Sequence, residues 1–303
     1  MVRAEGIYKY FYGKKKGYTV KACDNVTIHI PPGKTLGLVG ESGCGKTTLG
    51  RIILGLIKPD RGEVFFENTK ITSFREKELR PMRKNFQMIF QDSRSAFNPR
   101  MRVYDALKEA AVLHLDMKVR IIKEYINQLI DRVNLHRGLL YNYIGNLSGG
   151  EVKRLDILRA IMISPKFIIA DEPLSPLDIS MQSQIVNLLM EIQQKKKITM
   201  MFISHDLRMV RIISHRVAVM YLGKIVEMAS KTVIGENPLH PYTKFLWKPK
   251  STDIVLKFPD KGCVYKRSCE LFQKRGFPSV CLEKEPEMRE VEKGHWVACH
   301  FIK

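Results

Sequence analysis

Gly40, Glu41, Ser42, Gly43, Cys44, Gly45, Lys46 and Thr47 follow one another in the order G-x-x-x-x-G-K-T. That order makes a cradle for a phosphate chain: glycines let successive N–H groups face one concavity, and a following helix adds the positive end of its dipole. Lys46 is then placed to reach the β- and γ-phosphates, and the Thr47 hydroxyl to ligate Mg²⁺. Far downstream, Asp171 and Glu172 stand side by side. Such a pair can divide labour, Asp171 holding the magnesium shell and Glu172 accepting a proton from an attacking water, a general-base role typically worth roughly 10²- to 10⁴-fold in rate. Taken alone, the pair reads equally well as an acidic strand end capping the next helix. Three more features accompany it: Ser148-Gly149-Gly150-Glu151, a turn that can present amides to an anion; His205; and Gln91.

These residues need elements to hold them. Residues 35–39 read as a short apolar strand of a buried parallel sheet, and 48–56 as the helix after the phosphate loop. Residues 167–170 read as a second buried strand, delivering Asp171 and Glu172 to the carboxyl edge where α/β sheets bind ligands. Residues 87–90 lead as a strand into Gln91, 198–202 lead as a strand to His205, and 152–163 continue as a helix from the Ser-Gly-Gly turn. Ahead of the phosphate loop, 19–22 and 26–30 alternate as half-buried strands and stop at Pro31-Pro32-Gly33. Between 92 and 146 the pattern turns helical, with Ile121, Ile122, Tyr125, Ile126, Leu129 and Val133 at helical spacing. The helix predicted over 179–194 runs into Lys195, Lys196 and Lys197, cations that suit a helix C-terminus. Asn237-Pro238-Leu239-His240-Pro241 marks a boundary before a distinct tail.

A chain of 303 residues has room for one large α/β domain and a small appendage. It has no run of eighteen apolar residues, and residues 1–16 are polar, aromatic and basic, which predicts a cytoplasmic location. Lys and Arg number 51 against 31 Asp and Glu, a net charge of +20. A lysine-rich solvated surface is the first reading of that excess, attraction to an anionic membrane leaflet the second. Nucleic-acid binding ranks third, since no basic stripe is interleaved with aromatics. Cys23 and Cys44 are isolated, whereas Cys263, Cys269, Cys281 and Cys299 crowd the tail with the spacing C-x5-C-x11-C-x17-C. In a cytosolic chain this argues for metal over disulfides, and the spacing admits zinc or an iron–sulfur centre.

In this order behind a phosphate loop, the motifs resemble those of the ATP-binding subunit of an ABC transporter. Gln91 then matches the Q-loop, Ser148 to Glu151 the signature, Ser175 to Asp178 the D-loop and His205 the switch histidine. Leu54-Gly55-Leu56-Ile57-Lys58-Pro59, Phe97-Asn98-Pro99-Arg100-Met101 and His240-Pro241-Tyr242-Thr243-Lys244 look like the oligopeptide/dipeptide/nickel importer branch, and within it the F-type ATPase. The resemblance implies a RecA-like P-loop α/β fold with an antiparallel β lobe, over residues 1–236, a helical subdomain at about 92–146, and a cysteine-bearing extension over 237–303. It implies ATP held by residues 40–47 and Thr48, adenine stacked on Tyr18, and Mg²⁺ held by Thr47, Gln91 and Asp171. Glu172, His205, Gln91 and Lys46 become the catalytic set, while Ser148, Gly149, Gly150 and Asp178 serve the ATP of a second, D-type ATPase in a head-to-tail pair. Two membrane permeases and an extracellular substrate-binding protein complete the implied assembly, at the cytoplasmic face of the membrane, with no nucleic acid. Some peptide-importer tails hold a four-iron four-sulfur cluster, and the resemblance favours that over Zn²⁺ for the four tail cysteines.

The chain departs from the family pattern at Glu151, where glutamine is usual, at Ser93, where proline is common, and at Pro176, where a small residue is usual. A soluble ABC ATPase acting on nucleic acid or ribosomes is the competing reading; against it, the chain has one cassette and no coiled-coil insertion.

Overall fold

Short apolar runs become the strands of this protein that are buried along their whole length, at 35–39, 167–171 and 199–203. The computed structural model describes residues 1–13, 19–115, 117–175, 177–247 and 261–302. Tyr18, Pro176, Lys14, Lys15 and Lys16 lie outside them. In chain order the strands are β1 (Val2–Tyr12), β2 (Thr19–Ile30), β3 (Thr35–Val39), β4 (Arg61–Phe66), β5 (Thr69–Lys70) and β6 (Phe86–Ile89). They continue with β7 (Phe167–Asp171), β8 (Thr199–Ile203), β9 (Arg216–Tyr221), β10 (Lys224–Ser230), β11 (Arg289–Glu292) and β12 (His295–Val297). Residues 1–31, 35–73 and 202–303 make one compact unit, and residues 32–34 and 74–201 a second.

The first unit contains an antiparallel sheet in the order β2-β1-β4-β5. The two strands expected over 19–22 and 26–30 are a single strand. Its ladder with β1 slips between the pairs Ile7↔Val26 and Lys9↔Cys23, and Asn25 takes φ +60° at that bulge. The same unit holds strands in the order β11-β12-β10-β9-β3, in which β3 runs parallel to β9, with Gly37 opposite Val217. All of β3 is buried, as a strand covered on both faces must be. The tail joins this unit through its hairpin, β12 pairing antiparallel with β10 at Glu227↔Val297. The helix after the phosphate loop, Lys46–Ile53, starts two residues earlier than predicted, and Gly55 at φ +65° stops it in a left-handed exit.

In the second unit β6 and β7 pair in parallel from Phe86↔Phe167 to Ile89↔Ala170. The helix Val119–Ile130 buries Ile122, Ile126 and Ile130, one residue per turn, while Ile121, expected on the same face, is exposed because it lies about a hundred degrees round the helix from Ile122. Helices Val103–His114, Gly149–Met162 and Ile179–Lys196 complete its main elements. The Ser-Gly-Gly turn is thus part of its helix rather than a prelude to it. Among the described residues no helix is long and apolar enough to cross a membrane.

Candidate active site

The phosphate loop leaves β3 and enters its helix through backbone that only glycine tolerates. Gly40 stands at φ +152° and Gly45 at φ +112°; a Cβ on Gly45 would lie 1.9 Å from the carbonyl oxygen of Ala22, and one on Gly40 2.1 Å from that of Met220. Gly43, at φ +80°, has nothing within 4 Å of where its Cβ would be. The outer two glycines therefore fit the loop to its surroundings, while the middle one faces open space where a phosphate can sit. Lys46 is 7% exposed, and its ammonium donates to the carbonyls of Gly40 (2.7 Å) and Glu41 (2.8 Å), which hold it over the loop. Ser42 and Gly43 are exposed; Glu41, Thr47 and Thr48 are half-buried; Cys44 is buried, with its carbonyl accepting from the Gly223 amide at 2.9 Å. Burial raises the Glu41 carboxyl above the usual range, with the Lys46 charge opposing. His205, in the same unit, is exposed just after β8, beside the helix Leu207–Ile213 that Asp206 caps.

The second unit carries the carboxylates. Asp171 ends β7 and is 1% exposed, and Glu172 takes the left-handed φ of +46°, uncommon for a residue with a side chain. Backbone held this way is typical of functional turns. Gln91 is exposed, with its own carbonyl accepting from the Lys153 ammonium at 3.0 Å.

Ser148 is the N-cap of the helix Gly149–Met162. Its hydroxyl accepts from the Glu151 amide, and the Glu151 carboxylate accepts from the Ser148 amide and hydroxyl, both at 2.8 Å. This capping box explains the departure from glutamine: the amide and hydroxyl of Ser148 hold the Glu151 carboxyl below its usual range, and a charge there favours the helix N-terminus. Gly149 and Gly150, half-buried, form the first turn behind it. Asp178 likewise caps a helix, accepting from the Met181 amide at 2.9 Å.

Two residues of this unit escaped the sequence reading. Lys153 and Asp156 have no exposed surface, and the Lys153 ammonium lies in the field of Asp156, Asp171, Glu172 and Asp92, which oppose the downward pull of burial on its pKa. Their only signal in the sequence is a pair of opposite charges three residues apart in the largely apolar helix 152–163.

In the tail, Cys263, Cys269 and Cys281 are buried and Cys299 is half-buried, all as free thiols. The Cys263 amide donates to the Cys281 carbonyl at 2.9 Å. Burial pushes the Cys263 thiol up to about 12, reinforced by Cys269, Cys281 and Cys299, so the four lie within one another's electrostatic reach. Among the described residues, no group of three or more His, Cys, Asp or Glu side chains is arranged to hold a metal ion. The tail also supports the phosphate loop, since the Glu41 amide donates to the Tyr242 hydroxyl at 3.0 Å. Tyr242 packs between Tyr221 and Tyr265, with ring centroids 4.5 and 5.4 Å away. Beside them His240 is 2% exposed, its amide bonded to the buried Glu227 carboxylate, which also accepts from His295 at 2.7 Å.

Residues 23–175 match the family model described as ABC transporter. The chain is 41% identical over 306 residues to the oligopeptide transport ATP-binding protein AppF of Bacillus subtilis, covering 95% of this chain and 92% of that one. It is 42% identical over 288 residues to the oligopeptide transport ATP-binding protein OppF of Streptococcus mutans, covering 94% and 90%. Among solved structures, the ATP-binding cassette MJ0796, a dimer bound to ADP and Pi, superposes with a TM-score of 0.71 over 76% of this chain and 99% of its own; at 24% identity the likeness is one of fold. CbiO1 of Clostridium perfringens, part of a cbiONQ transporter complex, gives 0.65 at 26% identity, over 82% and 95%.

Proposed function

Since this chain belongs to the ABC transporter family, we propose that it is the ATPase subunit that powers import of oligopeptides through a membrane permease. The observation that carries this reading is similarity running from the β lobe through the tail, at 41% identity over 95% of the chain, to a relative named for oligopeptide transport. Residues 1–236 are the nucleotide-binding domain, with its helical subdomain near 92–146, and 237–303 the importer-type extension.

Each side chain has a task in this reading. The amides of residues 40–47, with Thr48, receive the phosphates of ATP, and Lys46 neutralises charge on the β- and γ-phosphates. Tyr18 stacks on the adenine. Thr47, Asp171 and Gln91 would hold Mg²⁺, which supplies charge neutralisation between the phosphates when bound. Glu172 accepts the proton of the attacking water, and His205 contacts the γ-phosphate. Ser148, Gly149 and Gly150 present a helix N-terminus, with Asp178 beside the same opposing site, to ATP held by a second, D-type ATPase. Hydrolysis separates the pair and drives two permeases at the cytoplasmic face of the membrane, fed by an extracellular binding protein.

The permease seat is a cavity of about 260 Å³ in the second unit, lined by Phe97, Met101, Ala110 and Leu113 with Glu109 and Arg159. An apolar floor between a carboxylate and a guanidinium suits a short amphipathic helix of the permease. In the tail, Cys263, Cys269, Cys281 and Cys299 would be the ligands of a metal centre, a four-iron four-sulfur cluster ahead of Zn²⁺. Four free thiols in one short segment support that donor set, although as placed they are not arranged around an ion.

Affinity purification from detergent-solubilised membranes tests the transport reading. Two permeases and a second ATPase should accompany the tagged chain in stoichiometric amounts; recovery with nucleic acid or ribosomes and no permease would replace transport by the soluble ATPase reading.

A further inference from the structure

The loop that carries Gln91 is bonded to the helix Gly149–Met162 by buried charges. Lys153 donates to the Phe90 carbonyl at 2.6 Å and the Gln91 carbonyl at 3.0 Å. One oxygen of Asp156 accepts from the Phe90 amide and the Ser93 hydroxyl, both at 2.9 Å, and the other accepts from Arg159 at 2.7 Å. Arg159 in turn donates to the Ala96 carbonyl at 2.8 Å and lies 4.3 Å over the Phe97 ring. At the front of the helix, Arg94 donates to the Leu147 carbonyl at 2.9 Å.

Charges without exposed surface are expensive unless fully paired, and replacing them with well-packed apolar residues is often neutral or stabilising. Stability alone therefore gives little reason for Lys153 and Asp156 to be ionic. What two opposite charges supply here is direction: Lys153 grips only carbonyls and Asp156 only donors, so together they fix the peptide planes around Phe90 from both sides. Ser93, which departs from the proline common in this family, contributes a hydroxyl that proline lacks. The Gln91 side chain is left exposed while its main chain is held.

We propose that Lys153, Asp156 and Arg159 form an ionic latch that makes the Gln91 loop and the Ser148-Gly149-Gly150 helix move as one body, with Arg159 as the point where an occupant of the Phe97 cavity acts on it. In the reading above, on which this role rests, Gln91 helps hold the Mg²⁺ of this chain's ATP and Ser148 to Gly150 meet the ATP of the partner. The latch thereby ties the two ATP sites to one permease contact. Lys153 and Asp156 are positioning residues, since neither has exposed surface to offer a ligand.

Hydrogen exchange on the isolated chain tests the latch without reference to transport. Lys153→Met and Asp156→Asn should each lower protection of amides in residues 90–97 at least tenfold, with amides of β1 and β2 unchanged; unaltered protection in 90–97 overturns the latch. Should either variant fail to fold, Ser93→Ala removes one hydroxyl from Asp156 and should still lower protection of the Phe90 amide, and its failure to do so counts equally against the latch. In the assembled transporter, each single variant should lower kcat about tenfold while KM for Mg-ATP stays within about twofold. The double variant should lose no more than the worse single one, because both act on one loop. Multiplying losses, or a wild-type kcat in either variant, would refute the proposed coupling. A wild-type chain that assembles with no permease would instead refute the transport reading and leave the exchange result standing.

Discussion

Alanine at Gly45 and alanine at Gly43 add the same methyl group to the same loop and should fail in different ways. At Gly45 the residue must hold φ +112° with its Cβ 1.9 Å from the Ala22 carbonyl oxygen. Backbone strain of that kind costs about 1–3 kcal/mol, and displacing packed backbone about 1–3 more. A total of roughly 2–6 kcal/mol corresponds, in a chain of this size, to a fall in Tm on the order of 3–9 °C. At Gly43 the methyl meets nothing within 4 Å, so only the positive φ of +80° is penalised, by about 1–2 kcal/mol. The open space at Gly43 is where phosphate would sit. Gly43→Ala should therefore keep most of its thermal stability without nucleotide and lose at least tenfold in Mg-ATP affinity. Scanning fluorimetry without ligand and titration calorimetry with Mg-ATP separate the two. If Gly43→Ala melted as low as Gly45→Ala, or bound Mg-ATP as tightly as wild type, the division of the loop into packing and ligand-facing glycines would be wrong.

Glu172→Gln should leave ATP affinity unchanged in the assembled transporter and slow hydrolysis at this chain's site at least 10²-fold, about 2.7 kcal/mol of barrier, whereas Lys46→Ala should weaken binding itself; single-turnover kinetics distinguishes them. Burial holds His240 neutral, lowering its pKa from 6.5 to about 3. Between those values the unfolded chain binds the extra proton, so stability is complete above pH 6.5 and declines as pH falls, by about 2 kcal/mol at pH 5. Urea midpoints should accordingly drop less for His240→Gln than for wild type between pH 7.5 and 5, and equal drops would contradict this. Anaerobically purified protein should be brown and contain iron and acid-labile sulfide, and substituting any two of Cys263, Cys269, Cys281 and Cys299 should bleach it while sparing ATP binding. Colourless protein with stoichiometric zinc would identify a Cys₄ zinc site, and a folded tail without metal would remove both.

Local chemistry made much of the first unit legible. The phosphate loop is a contiguous pattern, and β3 is an uninterrupted buried run, so spacing and hydrophobicity sufficed. Element ends were less legible, because glycines that permit a turn do not say where it begins: the Lys46–Ile53 helix starts inside the motif. The bulge at Asn25 was hidden because its cause is register against β1. Lys153 and Asp156 were hidden for a related reason. Their partners, Phe90, Gln91 and Ser93, lie about sixty residues away, and a charged pair on a helix ordinarily faces water. Glu151, by contrast, is explained by a partner only three residues away, the capping box with Ser148. The support that Tyr242 gives Glu41 could not be read from either segment alone.

ATP turnover measured against concentration tests the central claim, that each catalytic site is completed by the signature of another subunit. The isolated chain should bind Mg-ATP yet hydrolyse it slowly, with specific activity rising on addition of the second ATPase and the permeases, and Ser148→Arg in this chain should then silence the partner's site. Full turnover by the monomer, independent of concentration and unaffected by Ser148→Arg, would contradict it.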